Sequence, residues 1–120
     1  MTSSHTIRVQ LGERSYDVVV GSGVRSQVSS ALPTTAQRAL VITQEGIPFA
    51  IADDLKSAGL AVSSIMIGDG EEHKSLSTIE TIMVECANIG LTRNDVIVGV
   101  GGGMVTDVAG FAASLWHRGI

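Results

Sequence analysis

The sequence predicts an α/β fold in which a parallel β-sheet carries helices on both faces and follows an N-terminal β-hairpin. Three observations support this: alternating apolar residues at the start, compact apolar runs further on, and segments of helical periodicity between those runs. After residue 38, strand and helix patterns alternate, and each connection is long enough for a crossover between parallel strands. This alternation is typical of a Rossmann-like half, because helices must cover both faces of a parallel sheet.

The hairpin is predicted from the first 20 residues. Ile7, Val9 and Leu11 alternate with polar residues, which indicates a half-buried strand. The turn signal at 12–15 leads into a second strand over 16–20.

The later elements follow from apolar periodicity and from turn residues. Strands are predicted over 39–42, 60–67 and 95–100, and helices over 24–32, 48–58, from a cap at Ser75 or Ser77 to 89, and 104–116. Gly59 and Gly90 stand where helix C-caps are expected. Cys86 falls within the apolar pattern of its helix, so we expect it to be a small core residue.

Composition indicates one globular domain over residues 1–120. Hydrophobic residues make up 44% and charged residues 17% of the chain, and the net charge is −4. That charge argues against binding to nucleic acid or to an anionic membrane, which both need clustered Lys and Arg. No signal segment is present, and no apolar run reaches the roughly 18 residues of a membrane span, so a cytoplasmic location is expected.

The strongest candidate for a ligand site is the glycine turn at 101–103, between the last strand and the last helix. Glycine has no Cβ, and the N–H groups of a helix start attract anions such as a pyrophosphate. The motif is neither GxGxxG nor a P-loop, so a tight turn without a ligand remains an alternative. Asp107, one turn into the helix, either complements the helix dipole or contacts a ligand.

A second candidate is the charged loop at 69–74. A metal site is conceivable here, but one His beside carboxylates offers few metal ligands. The alternative to a metal site is a solvated loop that starts a helix. Lys74 is suited to face an anion. Arg118 either complements the dipole at a helix end or binds a phosphate or carboxylate.

Three blocks together, at 11–23, 69–76 and 101–119, resemble 3-dehydroquinate synthase of the sugar phosphate cyclase family. The resemblance implies a carbon–oxygen lyase of the shikimate pathway that depends on NAD and a divalent metal. It would convert 3-deoxy-D-arabino-heptulosonate 7-phosphate, a phosphorylated sugar acid, into 3-dehydroquinate and phosphate for aromatic amino-acid biosynthesis. The NAD would be used catalytically, because a transient ketone acidifies the neighbouring C–H.

The resemblance also implies roles for individual residues. Arg118 would bind substrate, and the residues that would bind NAD are Asp69, Gly70, Glu71, Glu72, His73, Lys74, Gly102, Gly103, Met104, Val105, Thr106 and Asp107. Two departures affect this assignment. Thr106 stands where the family often has Gly, and Thr43, Gln44 or Glu45 stands where it has an Asp that holds a ribose.

The resemblance implies that this chain is the N-terminal dinucleotide-binding domain and that the C-terminal metal and substrate domain is absent from it. We therefore expect no catalytic residue and no metal ligand in these 120 residues, and no activity from the chain alone. Zinc or cobalt and a homodimer are expected only for the full-length protein. Alternatives are a cyclase that makes another cyclitol, a metal-dependent polyol dehydrogenase such as glycerol-1-phosphate dehydrogenase, and, if the gene ends at residue 120, a non-catalytic nucleotide-binding module.

Overall fold

The computed structural model describes residues 3–47 and 51–120. These form two compact units, Met1–Ala31 and Leu32–Ile120. The first unit contains β1 (Ser4–Val9), β2 (Tyr16–Gly21) and α1 (Val28–Ala31). The second contains β3 (Arg38–Gln44), α2 (Ile51–Ser57), β4 (Ala61–Ile67), α3 (Leu76–Asn88), β5 (Val96–Gly99) and α4 (Gly103–Leu115). The predicted order of strands and helices is confirmed; the part of one helix prediction that falls on 48–50 lies outside the described residues.

The first unit is the predicted antiparallel hairpin. Strands β1 and β2 pair so that Ile7 lies opposite Val18. The alternation of apolar residues correctly identified β1 but not its burial, since Ile7 is 58% exposed. The helix predicted over 24–32 is a 3-10 turn, Val24–Gln27, followed by the short α1.

The second unit is built on a parallel sheet with the strand order β4-β3-β5. The side chains of Leu40 and Ile42, on one face of β3, belong to the core that α3 and α4 cover. On the opposite face, Val41 lies near Ile51 of α2. Helices therefore flank both faces of the sheet, as the sequence predicted.

The main core lies between the sheet and the helices α3 and α4. Helix α3 begins where the sequence suggested, because the side chain of Ser75 accepts a hydrogen bond from the Thr78 N–H at 3.3 Å. Cys86 is fully buried in this core, and burial raises the pKa of its thiol to about 11. The expectation that Cys86 is a core residue is confirmed.

Asp95 fixes the amino-terminal edge of the sheet. Its carboxylate, only 4% exposed, accepts hydrogen bonds from the N–H groups of Gln37 and Arg38 at 2.9 and 3.0 Å. It also accepts from the N–H and hydroxyl of Thr92 at 2.8 and 2.9 Å. Burial alone would raise the pKa of Asp95, but these hydrogen bonds outweigh it, and the pKa is lowered. Asp95 thus joins the start of β3 to the start of β5.

Candidate functional site

The candidate site lies at the carboxyl edge of the parallel sheet. Because β3 pairs in parallel with both β4 and β5, the carboxyl ends of all three strands meet at this edge. The charged loop at 69–74 follows β4, and the glycine turn at 101–103 follows β5. The charged loop and the glycine turn therefore lie at one edge of the sheet, and this edge is where open α/β sheets bind ligands.

The glycines of the turn after β5 fall into two groups. A Cβ at Gly99 would lie 2.8 Å from the Cβ of Ala109, and one at Gly101 would lie 2.8 Å from Cγ2 of Val105. These two glycines are needed for the turn to pack on α4. At Gly102 and Gly103, by contrast, an added Cβ would meet no atom within 4 Å. Packing within the described residues therefore explains why glycine is needed at the first two positions. It does not explain why glycine stands at the second two.

The same glycines stand at an uncapped helix start. Gly102 is the N-cap residue of α4, its φ of −80° is allowed for any residue, and no side chain caps the helix. The N–H groups of the first turn have no carbonyl partner within the helix, so they are available to an anion. Gly102 and Gly103 add no side chain to this helix start, and the space that a Cβ at either would enter is open. A pyrophosphate fits this arrangement, since a Cβ at either glycine would occupy part of the space it needs.

The other predicted residues of this block differ in what they present to the site. Val105 is fully buried against Gly101 and Met104 packs on the core, so they contribute through their backbone. The Thr106 hydroxyl donates back to the carbonyl of Gly103 at 3.1 Å. Asp107 is the fifth residue of α4, beyond the first turn in which the helix dipole acts strongly, so the dipole alone explains it poorly.

The loop after β4 is shaped by glycine and by a short 3-10 turn, Glu71–His73. Gly70 has a φ of +104°, a conformation that side-chain-bearing residues rarely adopt. The imidazole of His73 lies directly against Gly68, where a Cβ would overlap the ring. The His73 ring also lies 3.7 Å from the carboxylate of Glu72, which is highly exposed. This packing holds the loop beside the carboxyl end of β4.

An ion pair joins the two predicted blocks. Nζ of Lys74 donates to Oδ2 of Asp107 at 2.9 Å, and the Glu71 carboxylate lies 4.0 Å from the same ammonium. The hydrogen bond to Asp107 and the charges of Asp107 and Glu71 raise the pKa of Lys74. Both partners are about half exposed, so the pair stabilises the fold little while it places a cation and an anion near the glycine turn.

An apolar cleft of about 260 Å³ opens beside this ion pair. Leu76 at the start of α3 and Phe111 on α4 line it together with Lys74 and Asp107. Leu76 is 77% exposed, so the cleft opens to solvent.

The end of β3 contributes Thr43 and Gln44, which the sequence had identified only as differences from the family pattern. Gln44 Nε2 donates to Oδ1 of Asp69 at 3.1 Å, and the Thr43 hydroxyl donates to the carbonyl of Val100 at 2.9 Å. The end of β3 is thereby tied to both neighbouring loops. The Gln44–Asp69 pair was missed by sequence reasoning, although the signal was present: both residues lie at carboxyl ends of strands that the order of elements makes parallel.

Arg118 is not brought to this edge. It follows the C-terminal end of α4, fifteen residues after Gly103, so the helix separates the two by about 20 Å. His117 and Arg118 have positive φ angles of 49° and 63°, and the Trp116 indole N–H donates to the Leu91 carbonyl at 2.9 Å. The structure thus brings together 69–74 and 102–107 but leaves the predicted substrate residue at the opposite end of α4.

Within residues 3–47 and 51–120, no three His, Cys, Asp or Glu side chains gather in a way that could hold a metal ion. Across the same ranges, no helix is both long enough and apolar enough to span a membrane.

Comparison with known proteins places these features in context. The sequence model of the family described as 3-dehydroquinate synthase N-terminal matches residues 64–120. A candidate aminodehydroquinate synthase of Amycolatopsis mediterranei is 45% identical over 96% of this chain and 32% of its own length. A 3-dehydroquinate synthase of Rhizobium rhizogenes is 35% identical over 95% of this chain and 32% of its own length. The chain thus spans about a third of the length of the curated relatives it matches.

Among solved structures, a 2-deoxy-scyllo-inosose synthase complexed with carbaglucose-6-phosphate, NAD+ and Co2+ matches with a TM-score of 0.84. It is 29% identical, and the match covers 97% of this chain and 33% of that protein.

Proposed function

We propose that this chain is the NAD-binding portion of a 3-dehydroquinate synthase-like sugar phosphate cyclase, because it is similar to the N-terminal part of these enzymes. The observation that carries this proposal is the pair of glycines at 102 and 103. Neither is required by packing, an added Cβ at either would enter open space, and both stand at the start of a helix that no side chain caps. A similar protein of solved structure holds NAD+, which supports the choice of ligand.

In this proposal, different residues of the sheet edge contact different parts of the cofactor. The backbone N–H groups that follow Gly102 bind the pyrophosphate, as helix starts do in dinucleotide-binding folds. Lys74 adds a positive charge beside it, and Asp107 orients that ammonium through their hydrogen bond. The loop at 69–74 lines the remainder of the cofactor. When bound, NAD supplies reversible hydride transfer.

The proposed reaction of the whole enzyme is the conversion of 3-deoxy-D-arabino-heptulosonate 7-phosphate into 3-dehydroquinate and phosphate, within the shikimate pathway and in the cytoplasm. We assign the divalent metal, zinc or cobalt, and the catalytic residues to the part of the relatives' length that this chain does not span. Arg118 would bind substrate, and the enzyme would be a homodimer. This chain alone would then release no phosphate from the substrate, even with NAD and zinc or cobalt added; turnover under those conditions would contradict the division.

A second candidate is a cyclase that makes a different cyclitol from a phosphorylated sugar. The match to a 2-deoxy-scyllo-inosose synthase favours it, as does the identity to a candidate aminodehydroquinate synthase. The glycine turn would have the same role in both reactions, because it binds the cofactor and not the sugar.

The test of the cofactor proposal is a titration of the 120-residue chain with NAD, followed by amide chemical shifts. We expect weak binding, with a Kd above about 1 μM, because part of the proposed site lies outside the chain. Shifts should concentrate at 69–74 and 102–107. Gly102→Ala should weaken binding by about tenfold or more, since its Cβ would enter the pyrophosphate space while its backbone angles suit alanine.

Gly110→Ala is the matched control. It lies on the same helix, is exposed, and has no atom within 4 Å of the added Cβ. It should leave NAD binding unchanged and stabilise α4 by about 0.5–1 kcal/mol. Equal NAD affinity of the Gly102→Ala variant and the wild type would show that the open glycines do not hold the cofactor.

A further inference from the structure

We propose that Trp116 is a positioning residue that holds a strained turn at 116–119, and that this turn fixes the direction in which Arg118 meets an oxyanion of the substrate. The inference rests on the proposed function, in which Arg118 binds substrate. It deepens that function by assigning a role to Trp116 and to the backbone at His117. The oxyanion is a phosphate or a carboxylate, the two groups that an Arg side chain binds as a fork.

The turn places two residues with side chains in left-handed backbone conformations in succession. The φ angles of His117 and Arg118 are 49° and 63°. The N–H of Gly119 donates to the Trp116 carbonyl at 2.8 Å, which closes a four-residue turn. Two positive φ angles inside such a turn are typical of type I′, whose central positions favour Gly, Asn and Asp. Other residues are strained there, because the Cβ comes too close to the following carbonyl oxygen.

The fold gives no reason for these two side chains. Both His117 and Arg118 are exposed. Within residues 3–47 and 51–120, neither side chain forms a hydrogen bond or an ion pair, and the contact recorded for them is the T-shaped packing of the His117 ring on Trp116, with the ring centroids 5.2 Å apart. Glycine at either position would avoid the strain. Strained backbone is concentrated at functional sites, so we infer that these side chains serve a ligand.

Contacts on both sides of the turn hold it in this conformation. Before the turn, the Trp116 indole N–H donates to the Leu91 carbonyl at 2.9 Å, and the indole packs against the core. After the turn, the Ile120 N–H donates to the Ala113 carbonyl at 3.0 Å, and Ile120 also packs against the core. The turn can relax only if one of these attachments breaks. The attachment through Trp116 combines an apolar ring with a side-chain hydrogen bond, so a substitution can remove the hydrogen bond alone.

A fixed backbone restricts the directions that the Arg118 guanidinium can take. Ordering a long side chain on binding costs conformational entropy, and a backbone that is already fixed leaves less to be ordered. No carboxylate of the described residues pairs with Arg118, so its charge is available to a ligand. The turn therefore keeps an available cation in one place. Loss of the Trp116 hydrogen bond should weaken oxyanion binding without removing the charge that binds.

Two measurements on the 120-residue chain test this proposal: urea unfolding, and titration with inorganic phosphate or acetate followed by the Arg118 Nε–H resonance. The wild type should bind phosphate with a Kd of about 10 mM, and the exposed Arg93 should respond at least about threefold more weakly. Trp116→Phe keeps an aromatic ring but removes the N–H donor, so it should weaken phosphate binding at Arg118 about threefold or more.

Substitutions of His117 separate the backbone from the imidazole. Glycine adopts a φ of 49° without strain, so His117→Gly should lower the unfolding equilibrium constant about twofold to fivefold. It should nevertheless weaken phosphate binding about threefold or more, because the more flexible backbone no longer fixes Arg118. His117→Asn should keep the binding, since Asn tolerates the left-handed conformation and is less flexible than Gly.

The matched control for His117→Gly is Ser114→Gly, at an exposed position of α4 just before the turn. This control should lower stability and leave phosphate binding unchanged, because it adds flexibility without relieving strain. A loss of stability in His117→Gly equal to that of the control would show that the turn is not strained and would overturn the proposal.

In the proposed cyclase, Trp116→Phe should raise the KM for the phosphorylated substrate by about threefold to tenfold. It should leave kcat and the NAD concentration for half-maximal turnover within about twofold of the wild type. A purely structural role would instead lower the melting temperature and the amount of active enzyme and leave KM unchanged.

The outcomes separate this inference from the function on which it rests. A response of Arg118 to phosphate alone, to acetate alone or to both supports the proposal and identifies the oxyanion. Unchanged binding in both Trp116→Phe and His117→Gly, or a loss in His117→Asn equal to that in His117→Gly, overturns the positioning role and leaves Arg118 a substrate residue. A response of Arg118 no stronger than that of Arg93 overturns both roles. The NAD proposal stands in each case, because it concerns the glycine turn about 20 Å away.

Discussion

Asp95→Asn should destabilise the second unit substantially, although Asp95 lies far from the candidate ligand site. The carboxylate accepts four hydrogen bonds, from Gln37, Arg38 and twice from Thr92. An amide keeps one oxygen as an acceptor and turns an NH₂ group towards the other donors. About two donors would lose their acceptor. At about 1–2 kcal/mol each, since Gln37 and Thr92 are largely exposed, the expected loss is about 2–4 kcal/mol.

The pH dependence of this effect has a definite sign. The pKa of Asp95 is lowered in the folded protein, so the unfolded chain takes up a proton at higher pH than the folded one. The stability that the ionised carboxylate contributes is therefore fully present above the unfolded pKa of about 3.9. It is lost as the pH falls through the lower, folded pKa. The difference in stability between wild type and Asp95→Asn should accordingly shrink below about pH 4.

Urea unfolding followed by circular dichroism at pH 7 and at several lower pH values measures both effects. The matched control is Asp53→Asn, which changes an exposed carboxylate in the first turn of α2 and should cost at most about 1 kcal/mol. If Asp95→Asn were no less stable than this control at pH 7, the hydrogen bonds of Asp95 would not be what joins β3 to β5. A difference that stayed constant down to low pH would refute the pKa argument.

Three further predictions concern the core and the site. The Cys86 thiol, with a pKa raised to about 11 by burial, should react with a disulfide reagent at pH 8 only as the protein unfolds; rapid labelling of the native chain would contradict its burial. Gly101→Ala should lower the free energy of unfolding by about 1–3 kcal/mol, because the new Cβ would lie 2.8 Å from Val105. Gly110→Ala should not lower it, since its Cβ would meet no atom within 4 Å. Equal melting temperatures for the two variants would argue against the packing of this turn. In the proposed NAD-dependent enzyme, Asp107→Asn should raise the NAD concentration needed for half-maximal turnover, or slow turnover, by about tenfold, since Asp107 hydrogen-bonds Lys74. Unchanged kinetics with only a lower melting temperature would leave Asp107 a structural role.

The order of strands and helices was accessible from the sequence because it depends on local pattern. The buried run at 39–42, the cap at Ser75 and the glycines that follow α2 and α3 are each signals within a few residues. Parallel pairing then followed from chain geometry, since long crossovers leave little choice of direction. The common edge of the charged loop and the glycine turn was predictable for the same reason.

Burial was harder to predict, and the hairpin shows why. The alternation of Ile7 with polar residues correctly put the apolar side chains on one face of a strand. A period of two specifies which residues share a face but carries no information on what covers that face. Ile7 is 58% exposed in the described structure, so the predicted half-burial of its strand is wrong there.

Three features were predictable from the sequence: the set of elements, the parallel direction of the later strands, and the position of glycines at the end of one of them. These are properties of short segments and of chain connectivity. The folded chain was needed to show which glycines are required for packing, that Lys74 contacts Asp107 across 33 positions of chain, and that Gln44 contacts Asp69. It also placed Arg118 at the far end of α4 from the glycine turn. Contacts of this kind depend on distances between segments remote in sequence, and no local pattern encodes such distances.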